Sequence, residues 1–223
     1  PEVPRGYLYD IETVPGQEVV VTLSPDNPEV SADLVVAIDG SGDYTSLQAA
    51  INAAPDCSRE RFVIYIKDGV YDEEKLIIPE GKTNISFVGE SREGTIISYH
   101  MHDGDSPQTG NKLPADSWHK WSGDAMLVRT SATLTIMGEG CSFENMTIRN
   151  TAGPVGQALA LTVCADRTTF RNCAISSYQD TIYLWTSGKR SYFENCLVIG
   201  RTDYIYGGGI GFFEGCEIRR WGG

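Results

Sequence analysis

Short apolar runs separated by turn residues dominate the chain from residue 62 onward. Each run is rich in β-branched and aliphatic side chains, and Gly, Asn or Asp residues lie between the runs. The runs are Phe62–Ile66, Leu76–Ile78, Ile85–Val88, Thr95–Ser98, Leu134–Met137, Ala158–Val163 and Thr181–Trp185. This pattern predicts an all-β fold of many short strands, and a sandwich, a barrel or a solenoid could each produce it.

One helix is predicted ahead of these strands, over residues 46–54. Its apolar positions recur with the spacing of a single helix face. They are Leu47, Ala50, Ile51 and Ala54. The residues before it form a capping box in which Thr45 and Gln48 would satisfy free backbone N–H groups, and Pro55 ends the helix.

Internal repetition decides in favour of a solenoid. Four segments align, and their phenylalanines are spaced by 27, 23 and 20 residues, which is a solenoid period. The segments are 141–148, 169–175, 192–198 and 212–218. We therefore predict a parallel β-helix in which equivalent side chains stack ~4.8 Å apart and the helix covers the first coil. The predicted ladders are Phe143, Phe170, Phe193 and Phe213; Met146, Cys173, Cys196 and Cys216; and Asn145, Asn172 and Asn195.

The six cysteines contain no CxxC pair, so no structural zinc site is predicted. Cys173, Cys196 and Cys216 fall in one predicted ladder, where small apolar side chains are buried. Two interpretations stay open for these three residues. They are buried free thiols, or they form disulfides between adjacent coils.

Composition and charge narrow the range of partners. The chain of 223 residues has 18 Lys and Arg against 30 Asp and Glu, a net charge of −12. This balance argues against nucleic acid, because phosphate binding needs clustered Lys and Arg. No stretch approaches the ~20 apolar residues that span a bilayer, so no membrane partner is predicted.

Two regions are predicted along the chain. Residues 1–33 form an extended lead-in or the tail of an upstream domain, and residues 34–223 form the β-helix domain. The chain begins at Pro1 with neither Met nor an apolar leader. We therefore expect that a signal peptide has been removed or that the chain belongs to a longer polypeptide.

Three polar residues recur at one solenoid period, since Gln157, Asp180 and Asp203 are each 23 residues apart. In register they would stack on one face, and two carboxyls that close cannot ionise independently. Such a pair suits a nucleophile with an acid/base partner, and the amide could hold an oxyanion. The alternative is that both acids only bind turn backbone. The sequence spacing leaves these two interpretations open.

Other polar and aromatic residues flank these three. Gln179 adjoins Asp180, although strand alternation would direct it to the other face unless a turn intervenes. Tyr178, Tyr183, Tyr204 and Tyr206 are the candidate substrate contacts. The segment 99–124 also carries aromatic residues, either as a wall of a carbohydrate groove or as a solvent loop.

From residue 34 onward the sequence resembles the pectin methylesterases of carbohydrate esterase family 8. The segments that carry the resemblance occur in the order of that family. They are Asp39–Thr45, Asp68–Glu73, Ser131–Thr133, Asn150–Pro154, Gly156–Leu161, Gln179–Thr181 and Asp203–Gly207. The resemblance implies a right-handed parallel β-helix of the pectin lyase type that hydrolyses the C6 methyl esters of pectin and releases methanol.

The resemblance also implies a role for each residue. Asp203 matches the nucleophile that forms an acyl-enzyme, Asp180 the general acid/base, and Gln157 the amide that stabilises the oxyanion. Gln179 matches a second glutamine of that site, and Tyr206 stands where the family usually has Phe against the sugar. The family needs no metal and no organic cofactor, acts on homogalacturonan, and is secreted to the extracellular space or the periplasm.

Two departures from the family pattern matter. Family members carry a Leu-Gly-Arg-Pro-Trp segment that this chain does not reach, so we expect a C-terminally truncated chain whose missing part is a candidate partner. Val128 also replaces a Thr that contacts substrate in plant members. The alternative hypothesis is therefore a pectin-binding or structural β-helix without catalysis. The acidic balance favours a highly methylated, near-neutral polymer, because product carboxylates would be repelled.

Overall fold

The computed structural model describes residues 31–72, 75–102 and 131–221. One compact unit begins at Ser31. Most of the predicted lead-in, most of the segment 99–124, and Val128 lie outside the described residues.

The described residues form three parallel sheets that the chain visits in turn, once per coil. Strands are numbered along the chain. In spatial order, the seven-stranded sheet consists of β1 (Leu34–Val36), β2 (Phe62–Ile66), β5 (Ile85–Gly89), β8 (Ser142–Glu144), β11 (Thr168–Arg171), β14 (Arg190–Glu194) and β17 (Ile210–Glu214). The six-stranded sheet consists of β18 (Glu217–Arg220), β15 (Leu197–Gly200), β12 (Ala174–Ser176), β9 (Thr147–Asn150), β6 (Thr95–Tyr99) and β3 (Gly69–Tyr71). The five-stranded sheet consists of β16 (Ile205–Gly207), β13 (Ile182–Leu184), β10 (Leu161–Val163), β7 (Leu134–Ile136) and β4 (Leu76–Ile78). This architecture confirms the predicted parallel β-helix.

The helix α1 (Leu47–Ala53) covers the edge of the first coil, as predicted. Its N-cap is Ser46, whose side chain accepts a hydrogen bond from the Ala49 N–H, so the prediction of Thr45 as the cap is wrong by one residue. Gln48 instead reaches the edge strand β4, where its amide bonds both the N–H and the C=O of Ile77 at 2.8 and 2.9 Å. The helix therefore satisfies a backbone unit that the sheet edge would otherwise leave unpaired.

The predicted phenylalanine ladder fills the interior, and the structure extends it by one coil to Phe87. Its successive ring centroids are 4.9, 5.0, 4.7 and 4.4 Å apart, with planes within 12° of parallel. The ladder consists of Phe87, Phe143, Phe170, Phe193 and Phe213. Parallel pairing sets this geometry, because in-register strands place identical side chains one strand spacing apart.

The cysteine ladder runs beside the phenylalanines without disulfides. Cys173, Cys196 and Cys216 are free thiols, which confirms one of the two open interpretations. Each thiol donates to the carbonyl of the phenylalanine one coil earlier, at 3.4–3.5 Å. The pKa of the Cys173 thiol is well above its ordinary value, and burial is the main cause.

A left-handed residue makes the turn between the seven- and six-stranded sheets in successive coils. Asn145, Asn172 and Asn195 have φ of 55°, 48° and 53°, and Gly215 takes the same place with φ of 62°. The Asn172 amide donates to Asn145 Oδ1 at 2.8 Å. Asn tolerates this conformation better than most residues, which explains the asparagine ladder in the sequence.

Candidate active site

The candidate residues gather where the chain passes from the six-stranded to the five-stranded sheet. We call this region the polar corner and define it as Gln157, Tyr178–Asp180 and Arg201–Asp203. Its second and third segments are stacked by two backbone hydrogen bonds, from Arg201 N to Tyr178 O and from Asp180 N to Thr202 O, both 3.0 Å. Gln179 and Thr202 also form an isolated parallel bridge.

Asp180 and Asp203 occupy equivalent positions on adjacent coils. Ile182 pairs with Ile205 in the following strands, an offset of 23 residues, which confirms the offset predicted for the two acids. Both residues are left-handed, with φ of 63° for Asp180 and 49° for Asp203. Because the register and the left-handed φ both repeat, the Cα atoms of the two acids lie about one strand spacing, ~4.8 Å, apart.

The two acids differ in burial. Asp180 is only 6% exposed, whereas Asp203 lies at the surface. The buried Tyr206 hydroxyl lies beside them: burial raises the pKa of Tyr206 well above its ordinary value, and the negative charges of Asp180 and Asp203 raise it further. Tyr206 is therefore a neutral phenol throughout the neutral pH range.

Gln157 lies slightly out of the predicted register. Leu161 pairs with Ile182 at an offset of 21 rather than 23 residues, and the Ala158 N–H donates to Gln179 O at 3.3 Å. Gln157 thus lies beside Gln179 rather than Asp180, and the prediction of a uniform offset of 23 is wrong at this coil. The connection before β10 (151–160) has ten residues and the connection before β13 (177–181) has five, so the two coils do not keep the offset of 23.

Gln157 and Gln179 are both half-buried, one on each of two adjacent coils. Gln179 does not follow simple strand alternation, because the left-handed Asp180 directly after it turns the chain. The intervening turn that the sequence required for a role of Gln179 is therefore present.

The four predicted tyrosines divide into separate environments. Tyr183 and Tyr206 stack face to face on the outside of the five-stranded sheet, with ring centroids 4.4 Å apart and planes at 11°. Tyr178 bonds Arg201 at the polar corner. The Tyr204 ring instead packs against Gly200, and a Cβ added at Gly200 would lie 2.8 Å from that ring. The fully buried Thr181 also contacts Gly200. The structure thus places Tyr206 beside the acids, stacks Tyr183 on it, and packs the Tyr204 ring against Gly200.

Comparisons with known proteins show the family of the chain. The family model described as Pectinesterase matches residues 33–221. The chain belongs to the pectinesterase family. A pectinesterase of Daucus carota is 37% identical over 190 residues, which are 85% of this chain and 53% of that protein. A pectinesterase/pectinesterase inhibitor of Prunus persica is 37% identical over 190 residues, or 85% of this chain and 32% of that protein.

Solved pectin methylesterases share the fold. The enzyme from carrot matches with a TM-score of 0.73 and 35% identity over 87% of this chain and 55% of that chain. PemA from Erwinia chrysanthemi matches with a TM-score of 0.68 and 30% identity, over 84% and 55%. A pectin methylesterase in complex with a hexasaccharide matches with a TM-score of 0.66 and 31% identity, over 84% and 55%. The chain spans between 27% and 58% of the length of curated relatives that it matches.

Asn150 is a positioning residue of this pectinesterase fold that the sequence did not single out by role. Its buried amide nitrogen donates to the carbonyls of Met101, Ser131 and Leu159 at 2.8–3.0 Å, and its Oδ1 accepts from the Ala152 N–H. It thereby fixes both ends of the loop that carries Gln157. A polar residue at the end of a strand, where the apolar alternation calls for a buried side chain, was the available signal.

Within residues 31–72, 75–102 and 131–221, no three His, Cys, Asp or Glu side chains are grouped to hold a metal ion. No helix among the same residues has the length and apolar character to cross a bilayer.

Proposed function

We propose that this protein hydrolyses the C6 methyl esters of pectin and releases methanol. The observation that carries the proposal is the stacked pair Asp180 and Asp203, one buried and one exposed, in a chain of the pectinesterase family. Burial disfavours the charged form of a carboxyl, which suits Asp180 as a proton donor, and the exposed Asp203 is accessible to an ester group. The pair therefore offers one proton donor and one nucleophile at the same point.

In the first half of the proposed reaction, an Asp203 oxygen attacks the ester carbonyl carbon of a galacturonate unit. The negative charge that develops on the carbonyl oxygen is stabilised by the amides of Gln157 and Gln179, and such donors contribute about 10²–10³ in rate. As the intermediate collapses, the C–O bond to the methoxy group breaks and Asp180 protonates the departing methanol. The product is an acyl-enzyme anhydride on Asp203.

In the second half, Asp180 removes a proton from water, and the water oxygen attacks the anhydride. Cleavage of the anhydride restores the Asp203 carboxylate and leaves a free galacturonate carboxyl, so ester and water give acid and methanol. No metal or organic cofactor takes part in the proposed steps. Each proton that leaves Asp180 in the first half returns to it in the second.

The outer face of the five-stranded sheet is the proposed floor of the pectin groove. The stacked rings of Tyr183 and Tyr206 give a flat apolar surface there, and Trp185 meets the Tyr183 ring edge-on at 5.0 Å. Aromatic rings pack well against the apolar faces of sugars. We leave Tyr204 out of the proposed substrate contacts because its ring packs on Gly200. Since pectin is extracellular, a secreted location is part of the proposal.

The test is methanol release from highly methylated pectin by the full-length protein. We expect Asp203→Asn to abolish the acyl-enzyme route and Asp180→Asn to reduce the rate by about 10²–10⁴, the usual contribution of a general acid. Asp56→Asn is the matched control, since the Asp56 side chain is 73% exposed and pairs with Lys82 away from the polar corner. Pectin binding without methanol release by the unsubstituted protein would contradict the proposal and support the non-catalytic alternative.

A further inference from the structure

Arg201 lies at the polar corner and was not among the residues predicted from the sequence. It directly precedes the Thr202–Asp203 turn and is exposed. Its Nη1 donates to the Tyr178 hydroxyl at 2.7 Å, and its guanidinium carbon lies 5.5 Å from the centre of the Tyr178 ring. The tyrosine therefore holds the long arginine side chain in one orientation instead of leaving it free in solvent.

The guanidinium of Arg201 retains most of its hydrogen-bonding capacity. Other arginines of the solenoid are committed to carboxylates: Arg190 pairs with Asp166 at 2.6 Å and Arg171 with Glu194 at 2.9 Å. Among the residues that the structure describes, no such ion pair is formed by Arg201. One of its five N–H donors is used by Tyr178, and a planar fork is left to bind a carboxylate.

Arg201 is also close to the proposed chemistry. It is two residues before Asp203, and Tyr178, which orients it, is two residues before Asp180. Two residues span at most about 7 Å of chain, so the Cα atoms of Arg201 and Asp203 are no further apart than that. A sugar unit next to the one being cleaved would lie over this positive charge.

The positive charge of Arg201 would favour a free carboxylate of the polymer at this position. The net charge of −12 disfavours a polymer that has already lost methyl groups, because every free galacturonate unit is an anion. A local arginine reverses that preference at one position, since its fork matches a carboxylate with two parallel hydrogen bonds. A neutral methyl ester at the same position offers no charge to pair with.

We propose that Arg201 is a specificity-determining residue that binds the free carboxylate of a galacturonate unit neighbouring the methyl ester to be cleaved. The preferred substrate is then partly demethylated pectin, and one cleavage favours the next along the chain. This inference rests on the proposed function for its reaction, but the binding it describes is measurable without turnover.

The experiment compares two probes, hexagalacturonate and fully methyl-esterified hexagalacturonate. Binding is measured by calorimetry at low salt in the full-length protein carrying Asp203→Asn, so that the ester is not consumed. Arg201→Gln and Arg201→Lys are introduced into this background. Arg219→Gln is the matched control, because Arg219 pairs with Glu217 on β18 and its loss changes the net charge equally.

We expect Arg201→Gln to weaken hexagalacturonate binding about fivefold, the value of an exposed, well-oriented charge pair, and to leave binding of the esterified probe unchanged. Arg201→Lys should retain part of the affinity, since lysine keeps the charge without the fork. High salt should reduce the difference. In the active background, kcat/KM for partly methylated pectin should fall relative to that for fully methylated pectin.

An equal loss for both probes, or no loss for hexagalacturonate, would overturn the role of Arg201. The same loss in Arg219→Gln would assign the effect to net charge and would also overturn it. These outcomes are separate from failure of the proposed function, which is decided by methanol release from the unsubstituted protein. The binding ratio decides the role of Arg201 even if no methanol is released.

Discussion

The interior phenylalanine ladder and the polar corner lie on the same coils but are held in register by different means. In the ladder, every ring follows from strand pairing, and centroids repeat at 4.4–5.0 Å. In the polar corner there is one isolated bridge, and two left-handed aspartates set the direction of the side chains. Regular pairing thus gives the solenoid its stability, and the interruption of that pairing gives it chemically useful side chains.

The acids of the two regions also differ in their hydrogen-bond and charge partners. Asp166, in the turn that leads to β11, accepts two side-chain hydrogen bonds and one backbone hydrogen bond from Arg190. Asp180 and Asp203 instead occupy equivalent positions on adjacent coils, and the Tyr206 hydroxyl lies beside them. Asp166 is thus held by a cation that stabilises the fold, whereas Asp180 and Asp203 are the acids of the proposed reaction.

The largest effect should come from breaking the ladder. Phe170 is fully buried between Phe143 and Phe193, so Phe170→Ala should cost about 3–5 kcal/mol of unfolding free energy through lost contacts and a cavity. Tyr183→Ala on the outer face removes one stacked pair and should cost only about 1 kcal/mol while lowering pectin affinity. Denaturant unfolding of both variants checks this, and equal losses would show that the two faces do not differ in stability.

An intermediate effect is expected at Gly200, where strand β15 ends before the polar corner. A Cβ there would approach Thr181 Oγ1 to 2.6 Å and the Tyr204 ring to 2.8 Å. Gly200→Ala should therefore cost about 1–3 kcal/mol by overpacking, and should lower methanol release because the displaced residues support the acid pair.

The control for this substitution is Gly208→Ala, where the nearest atoms would be 3.8 Å away. It should change stability by about 0.5 kcal/mol or less. If Gly200→Ala were as stable and active as Gly208→Ala, close packing behind the corner would not matter for its geometry.

The smallest effect concerns the pH dependence that Asp166 adds. Hydrogen bonds from Arg190 hold the pKa of Asp166 well below its ordinary value. The unfolded chain therefore binds more protons at acid pH, and the stabilisation is present above about pH 4 and lost as the pH falls further. Unfolding of the wild type and Asp166→Asn should differ most at pH 6, and the difference should shrink steadily as the pH falls to 2.5; a constant difference would contradict the ion-pair explanation.

Much of the fold could be read from the sequence because a solenoid repeats its own chemistry. The phenylalanine spacing placed Phe143, Phe170, Phe193 and Phe213 in one ladder, and each proved to stack on the next. The cysteines could not be assigned as thiols or disulfides from spacing alone, since in-register positions suit both. The capping residue was also misplaced, because neighbouring Thr45 and Ser46 have equivalent side-chain chemistry and only backbone conformation separates them.

Within the candidate site, the sequence spacing predicted one alignment correctly and another incorrectly. The 23-residue step correctly aligned Asp180 with Asp203, because the strands that follow them keep that offset. The same step failed for Gln157, where the strands pair at 21. Residues at equal spacing in the sequence occupy equivalent positions on adjacent coils only if the connecting turns of those coils are equally long.

The sequence by itself determined the repeating interior, the helix at the first coil, and the pairing of two acids on adjacent coils. Only the tertiary structure decided that Asp180 is buried and Asp203 exposed, that the Tyr204 ring packs on Gly200, and that Tyr178 orients Arg201. The physical reason is that strand periodicity is local and repeats along the chain. Burial and side-chain direction at a corner depend on turns whose neighbours come from other coils.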